Sequence, residues 1–154
     1  MSHTKAKKTS IEVRGIAPLL QVFDMPTSIH FYCNVLGFKI ISTSSPGTIF
    51  GWALLRLNEV ELMLNTAYDD DQRPEDPDPL RISVHSDTGI YFGCQDVDAV
   101  YMLLCENNIE VKAPEIAYYG MKQLYVTDPD GYVLCFQWPA TQESFDNWKA
   151  WYGS

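Results

Sequence analysis

Positive charge is what this chain has least of. Its 154 residues carry 11 Lys and Arg against 20 Asp and Glu, a formal net charge of −9. A phosphate backbone is held by clustered Lys and Arg, so this balance excludes nucleic acid as a partner. Long apolar runs are lacking too. None comes near the roughly 20 residues that span a bilayer, which excludes a membrane helix. The four cysteines, Cys33, Cys94, Cys105 and Cys135, include no CxxC pair. Zinc-finger spacing is therefore missing, and free, buried thiols in a reducing cytoplasm are expected. Histidine is scarce, with only His3, His30 and His85. No Ser–His–Asp or Cys–His arrangement stands out by spacing, so no catalytic residue is assigned. Lys5, Lys7 and Lys8 lead into no apolar stretch, so the start is read as a frayed tail, residues 1–12, and not as a signal peptide.

What is present suits one globular domain, with 46% hydrophobic and 13% aromatic residues. The chain also reads as one unit written twice. Asp24 opens DMPTSIHFYCNVLGFKI and Asp96 opens DVDAVYMLLCENNIEV, 72 residues later. Each Asp is placed to cap a helix, and each follows a strand-like run, GIAPLLQVF or GIYFGCQ. Ile29, Tyr32, Cys33 and Leu36 share a face of the first helix, and Val97, Val100, Tyr101 and Leu104 share one of the second. Gly37 and Asn107–Asn108 end them with residues that tolerate positive φ. Three further strands are expected after each helix: FKIIST, TIFGWALLRL and VELMLN, then IEVKAP, MKQLYVT and YVLCFQW. The fold class is α+β, two tandem βαβββ modules at residues 13–66 and 88–139. Between them, the acidic, Pro-rich stretch 67–87 matches no EF-hand loop and is expected to be an exposed, extended linker. Thr141 caps a C-terminal docking helix within 140–154, with Phe145, Trp148 and Trp151 or Tyr152 on one face.

FYCNVLGFKI and VTDPDGYVLCFQW together resemble the vicinal-oxygen-chelate superfamily, which includes glyoxalase I, extradiol dioxygenases, fosfomycin-resistance enzymes and bleomycin-resistance binding proteins. The resemblance covers residues 13–139. It implies a curved mixed sheet around a cleft and a homodimer in which a partner or an exchanged module can complete that cleft. It also implies where metal-dependent members would carry ligands: on the first and last strand of each module. Those positions hold Ala17 and Gly89, then Glu61 or Met63, and Cys135. Two of them have no donor atom, so no metal and no cofactor are expected. An altered ligand set drawing on Glu61 or His85 is the enzyme alternative, a lyase, isomerase or dioxygenase.

Strand alternation sorts the rest. Ala53, Leu55, Leu57, Leu124 and Val126 suit the helix side. The opposite face collects Phe50, Trp52, Arg56, Glu61 and Met63 from the first module, and Tyr91, Gln123, Tyr125 and Cys135 from the second. Flat rings with a minority of polar groups make a small-molecule pocket, and Trp52 and Tyr125 are placed to stack a planar ring or a cation. Glu61 and the net negative charge favour a cationic compound, although a mutual Arg56–Glu61 salt bridge is the competing use of that pair. The expectation is a metal-free cytoplasmic protein that sequesters an aromatic, cationic compound. A non-catalytic interaction protein with a filled cleft is the remaining alternative.

Overall fold

The computed structural model describes residues 10–152; most of the expected tail lies outside them. Asp24 caps the first helix through its carboxylate, which accepts from Thr27 N at 3.1 Å, and Pro26 sits in the first turn, where no N–H is needed. Helix α1 (Met25–Ile29) runs on into a wider π-helical turn at His30–Val35. There Leu36 N donates to Phe31 O, five residues back, at 3.1 Å. That extra residue in the turn alters the buried set. Phe31, Tyr32, Val35 and Leu36 are inside, while Cys33, placed on the face by a regular 3.6-residue period, is only half-buried.

The first module is completed by β1 (Leu19–Val22), β2 (Lys39–Thr43), β3 (Trp52–Leu57) and β4 (Val60–Thr66). A second helix, α2 (Pro79–His85), leads into β5 (Gly89–Gly93), α3 (Val97–Glu106), β6 (Glu115–Ile116), β7 (Met121–Thr127) and β8 (Val133–Pro139), and α4 (Gln142–Tyr152) closes the chain. The two sheets have matching orders, β1-β4-β3-β2 and β5-β8-β7-β6, with β1–β4 and β5–β8 parallel and the remaining pairs antiparallel. Two βαβββ modules of α+β type are thus observed. The expected turns carry positive φ at Gly37 (91°), Asn58 (53°), Asn108 (58°) and Gly131 (91°).

Two sequence expectations are corrected. IEVKAP, residues 109–114, forms no strand; pairing is limited to Glu115–Ile116, because Pro114 has no N–H to give to a ladder. The linker is not extended throughout. Asp78 caps Leu80 N at 3.0 Å and Pro79 takes the first turn, so an exposed stretch still nucleates α2.

Leu20, Val22, Ala53, Leu55, Leu62 and Leu64 of the first sheet and Leu124, Val126, Leu134 and Phe136 of the second belong to one core. The modules meet through it, with Phe38 edge-on to Phe92 at 6.3 Å between ring centres. Buried polar groups lock the junction. Tyr32 Oη donates to Asp128 at 2.6 Å, and the Asp130 carboxylate accepts from Phe23 N at 2.7 Å, Ser28 Oγ at 3.2 Å and Arg81 at 3.2 Å. From α2, Arg81 also donates to Gln21 O, and His85 stacks on Tyr132 at 4.0 Å. The Asp130 carbonyl accepts from His85 Nδ1 at 2.7 Å, leaving Nε2 to accept from the Tyr132 hydroxyl at 3.2 Å. Gly131 lies directly under this helix, where a Cβ would stand 2.3 Å from Ile82 O.

Candidate functional site

The open faces belong to two separate sheets whose helix sides share one core. The residues expected to line the cleft lie on both, one group on each sheet. On the first, Arg56 Nη2 donates to Glu61 at 3.1 Å, and Asn65 Nδ2 donates to Gln21 Oε1 at 3.2 Å. Trp52 and Met63 are half-buried there; Trp52 stands across the ladder from Asn65, and Met63 between Leu19 and Leu54. Phe50 does not join this face. Strand β3 begins only at Trp52, so alternation does not extend back to residue 50. Phe50 instead packs toward the core and borders a groove of about 380 Å³ with Met25, Pro26 and Ile29.

The second patch is better ordered. Tyr91 and Tyr125 are 45% and 44% exposed and meet edge-on at 6.4 Å, with their hydroxyls 3.5 Å apart. Tyr125 Oη donates to Gln123 Oε1 at 3.2 Å, and Gln123 Nε2 donates to Gln137 Oε1 at 2.9 Å. Cys135 lies beneath, opposite Tyr91 on β5 and Tyr125 on β7, with no exposed surface. Burial pushes its thiol up to about 11, so it stays protonated. The Tyr125 phenol is held far above its ordinary range, chiefly by its hydrogen bond with Tyr91. A pocket of about 200 Å³ opens beside these groups, between Gln123 and Tyr125 and the 112–117 segment.

Alternation from Cys135 places Gln137 on the same open face, outside the ligand-binding set expected from sequence, and the Asp128–Gly131 turn sets it across from Gln123. The two amides are 7% and 4% exposed. Among the described residues nothing accepts from Gln137 Nε2, and only one bond uses the two N–H groups of Gln123.

The donors at the four metal-type positions do not fit a divalent ion. Ala17 and Gly89 offer no side-chain donor, Glu61 is paired with Arg56, and Cys135 holds its proton. His85 is spent on Asp130 and Tyr132. Among the described residues no three His, Cys, Asp or Glu side chains stand close enough together to hold a metal.

Known structures share the fold. The bleomycin resistance determinant encoded on transposon Tn5 superposes with TM-score 0.63 at 21% identity, over 84% of this chain and all of its own. TnmS3, an antibiotic binding protein from Streptomyces sp. CB03234, gives 0.62 at 21%, covering 84% of this chain and 98% of its own. A bleomycin-binding protein complexed with bleomycin gives 0.61 at 22%, covering 81% and 98%. A search of curated protein sequences finds no match. Residues 15–136 match the model of the Glyoxalase/Bleomycin resistance protein/Dioxygenase superfamily, and the chain belongs to that family.

Proposed function

We propose that this protein is a metal-independent binder of small molecules that sequesters an aromatic, cationic compound in the cytoplasm without transforming it. The observation that carries the reading is the second open face, where two half-exposed tyrosines stand over a buried amide pair outside the hydrophobic core. Exposed rings over a few fixed polar groups are the make-up of a small-molecule wall. The donor set at the metal-type positions supports binding over metal-assisted chemistry, and among the described residues no nucleophile–base pair stands on either face. The net charge of −9 favours a ligand with a positive group. The structural relatives named for bleomycin or antibiotic binding point the same way.

A cleft with two walls needs both patches, and within one chain they lie on separate sheets whose helix sides share one core. We therefore assign the working form to a homodimer in which the first module of one copy faces the second module of its partner. Elemental analysis of protein purified without chelators, with a thermal-shift screen of cationic aromatic compounds, tests the reading. Ligand-induced stabilisation of metal-free protein is expected. Near-stoichiometric zinc, nickel, manganese or iron, or no stabilisation by any compound, overturns it.

A further inference from the structure

The pocket of about 200 Å³ beside β7 is small for a whole drug-sized molecule, whose sites run to roughly 300–1,000 Å³. It has room for one ring. Its floor is made by Gln123 and Tyr125, which carry no charge, and its rim bears Lys112 and Glu115, both exposed and of opposite sign. Lys112 and Glu115 offset each other, so the pocket has no net charge to compensate an ion for the water it would lose on that uncharged floor. A neutral ring with hydrogen-bonding atoms would not pay that penalty.

The proton order along the face says which atoms such a ring needs. Tyr125 gives its hydroxyl proton to Gln123 Oε1, so its own oxygen is an acceptor; the Tyr91 hydroxyl, 3.5 Å away, takes one of its two lone pairs and the other stays open. Gln123 gives one N–H to Gln137 and keeps the other. The floor thus offers one acceptor and one donor on neighbouring side chains, the complement of a group with an N–H beside a C=O. We propose that this pocket is a subsite for a neutral, single-ring group with a lactam-type edge, read by Tyr125 and Gln123. The inference rests on the second open face being a ligand wall, and it names the part of the ligand that enters there. Any positive group of the ligand then lies outside this pocket.

The test is titration of the full chain, followed through the side-chain amide NMR signals of Gln123 and Gln137, with five single-ring probes. These are 2-pyridone, N-methyl-2-pyridone, benzene, benzylamine and benzoate. 2-Pyridone is expected to move the Gln123 amide signals and to bind about tenfold more tightly than N-methyl-2-pyridone, which lacks the N–H. Tyr125→Phe, which removes only a half-exposed hydroxyl, is expected to abolish that difference while leaving the folded spectrum intact. Equal binding of the two pyridones, or tighter binding of benzylamine, benzoate or benzene, overturns the subsite. If no probe binds while a larger aromatic compound still stabilises the chain, the subsite falls and the binding function stands. If nothing stabilises the chain, both fall.

Discussion

At the scale of single residues, the tightest chemistry lies at the junction of the modules and not on the open faces. Asp128 accepts from Tyr32 Oη and from the backbone N–H groups of Asp130 and Tyr132, yet burial outweighs those bonds and pushes its carboxyl up to about 6. A folded-state value above that of the unfolded chain means the native state holds the proton longer. Stability from this group is therefore fullest below pH 4 and is lost as pH rises from about 4 to 6. Asp128→Asn is expected to remove that part of the slope, on the order of 2–3 kcal/mol, in denaturant titrations run from pH 4 to 7. A wild-type minus variant difference that does not change with pH would rule out this role. Cysteine labelling at pH 8 checks a second residue. Exposed Cys105 is expected to react with iodoacetamide in the native protein, and Cys135, buried and protonated, only after unfolding.

At the scale of elements, α2 is the part that sequence reading missed, and it acts as a strap. Arg81 joins Gln21 O of β1 to the Asp130 carboxylate beyond β7, so one guanidinium ties together both modules and the linker. Arg81 is part-buried and Asp130 is almost fully so, and removing one partner leaves the other charge without compensation. Arg81→Ala is expected to cost about 2–4 kcal/mol and to raise amide exchange in residues 79–88 first. Gly131→Ala is expected to be at least as harmful, because φ is +91° and the new methyl would meet Ile82 O. Asn58 in the matching turn of the first module is exposed, and Asn58→Gly there should shift the melting temperature by only a degree or two.

The strap shows where sequence was readable and where it was not. Alternation and turn residues reveal strands such as Met121–Thr127, because those signals are local. Asp24 and Asp96 reveal helix starts for the same reason. Helix α2 was hidden because its apolar Leu80 and Val84 point to solvent, so its pattern shows no buried face and its hold depends on Arg81 and His85 reaching residues about fifty positions away. Period two fails at Phe50 because the strand had not yet begun there. Which way the faces look is set by packing between modules, and no local pattern encodes that.

At the scale of the whole molecule, the proposed function places the two-walled cleft in a pair of chains. Sedimentation at falling protein concentration is expected to show a dimer that dissociates, and a melting temperature that rises with concentration. A monomer at every concentration that still binds its ligand with full affinity would count against the paired cleft. Ligand should also shift the balance toward the dimer, since a compound held by both walls binds the pair and not the single chain.

The outer edge of β1 has a further consequence. Its sheet partner β4 takes one set of backbone groups, and side chains claim the other set at its C-terminal end: Gln21 N donates to Tyr132 Oη, Gln21 O accepts from Arg81, and Phe23 N donates to Asp130. That end of the border is stitched shut, so a stray strand from another molecule finds little ladder to extend. Loosening α2 would reopen it, and the first symptom of a failing strap would be fibrous aggregation at concentrations where the intact protein stays in solution.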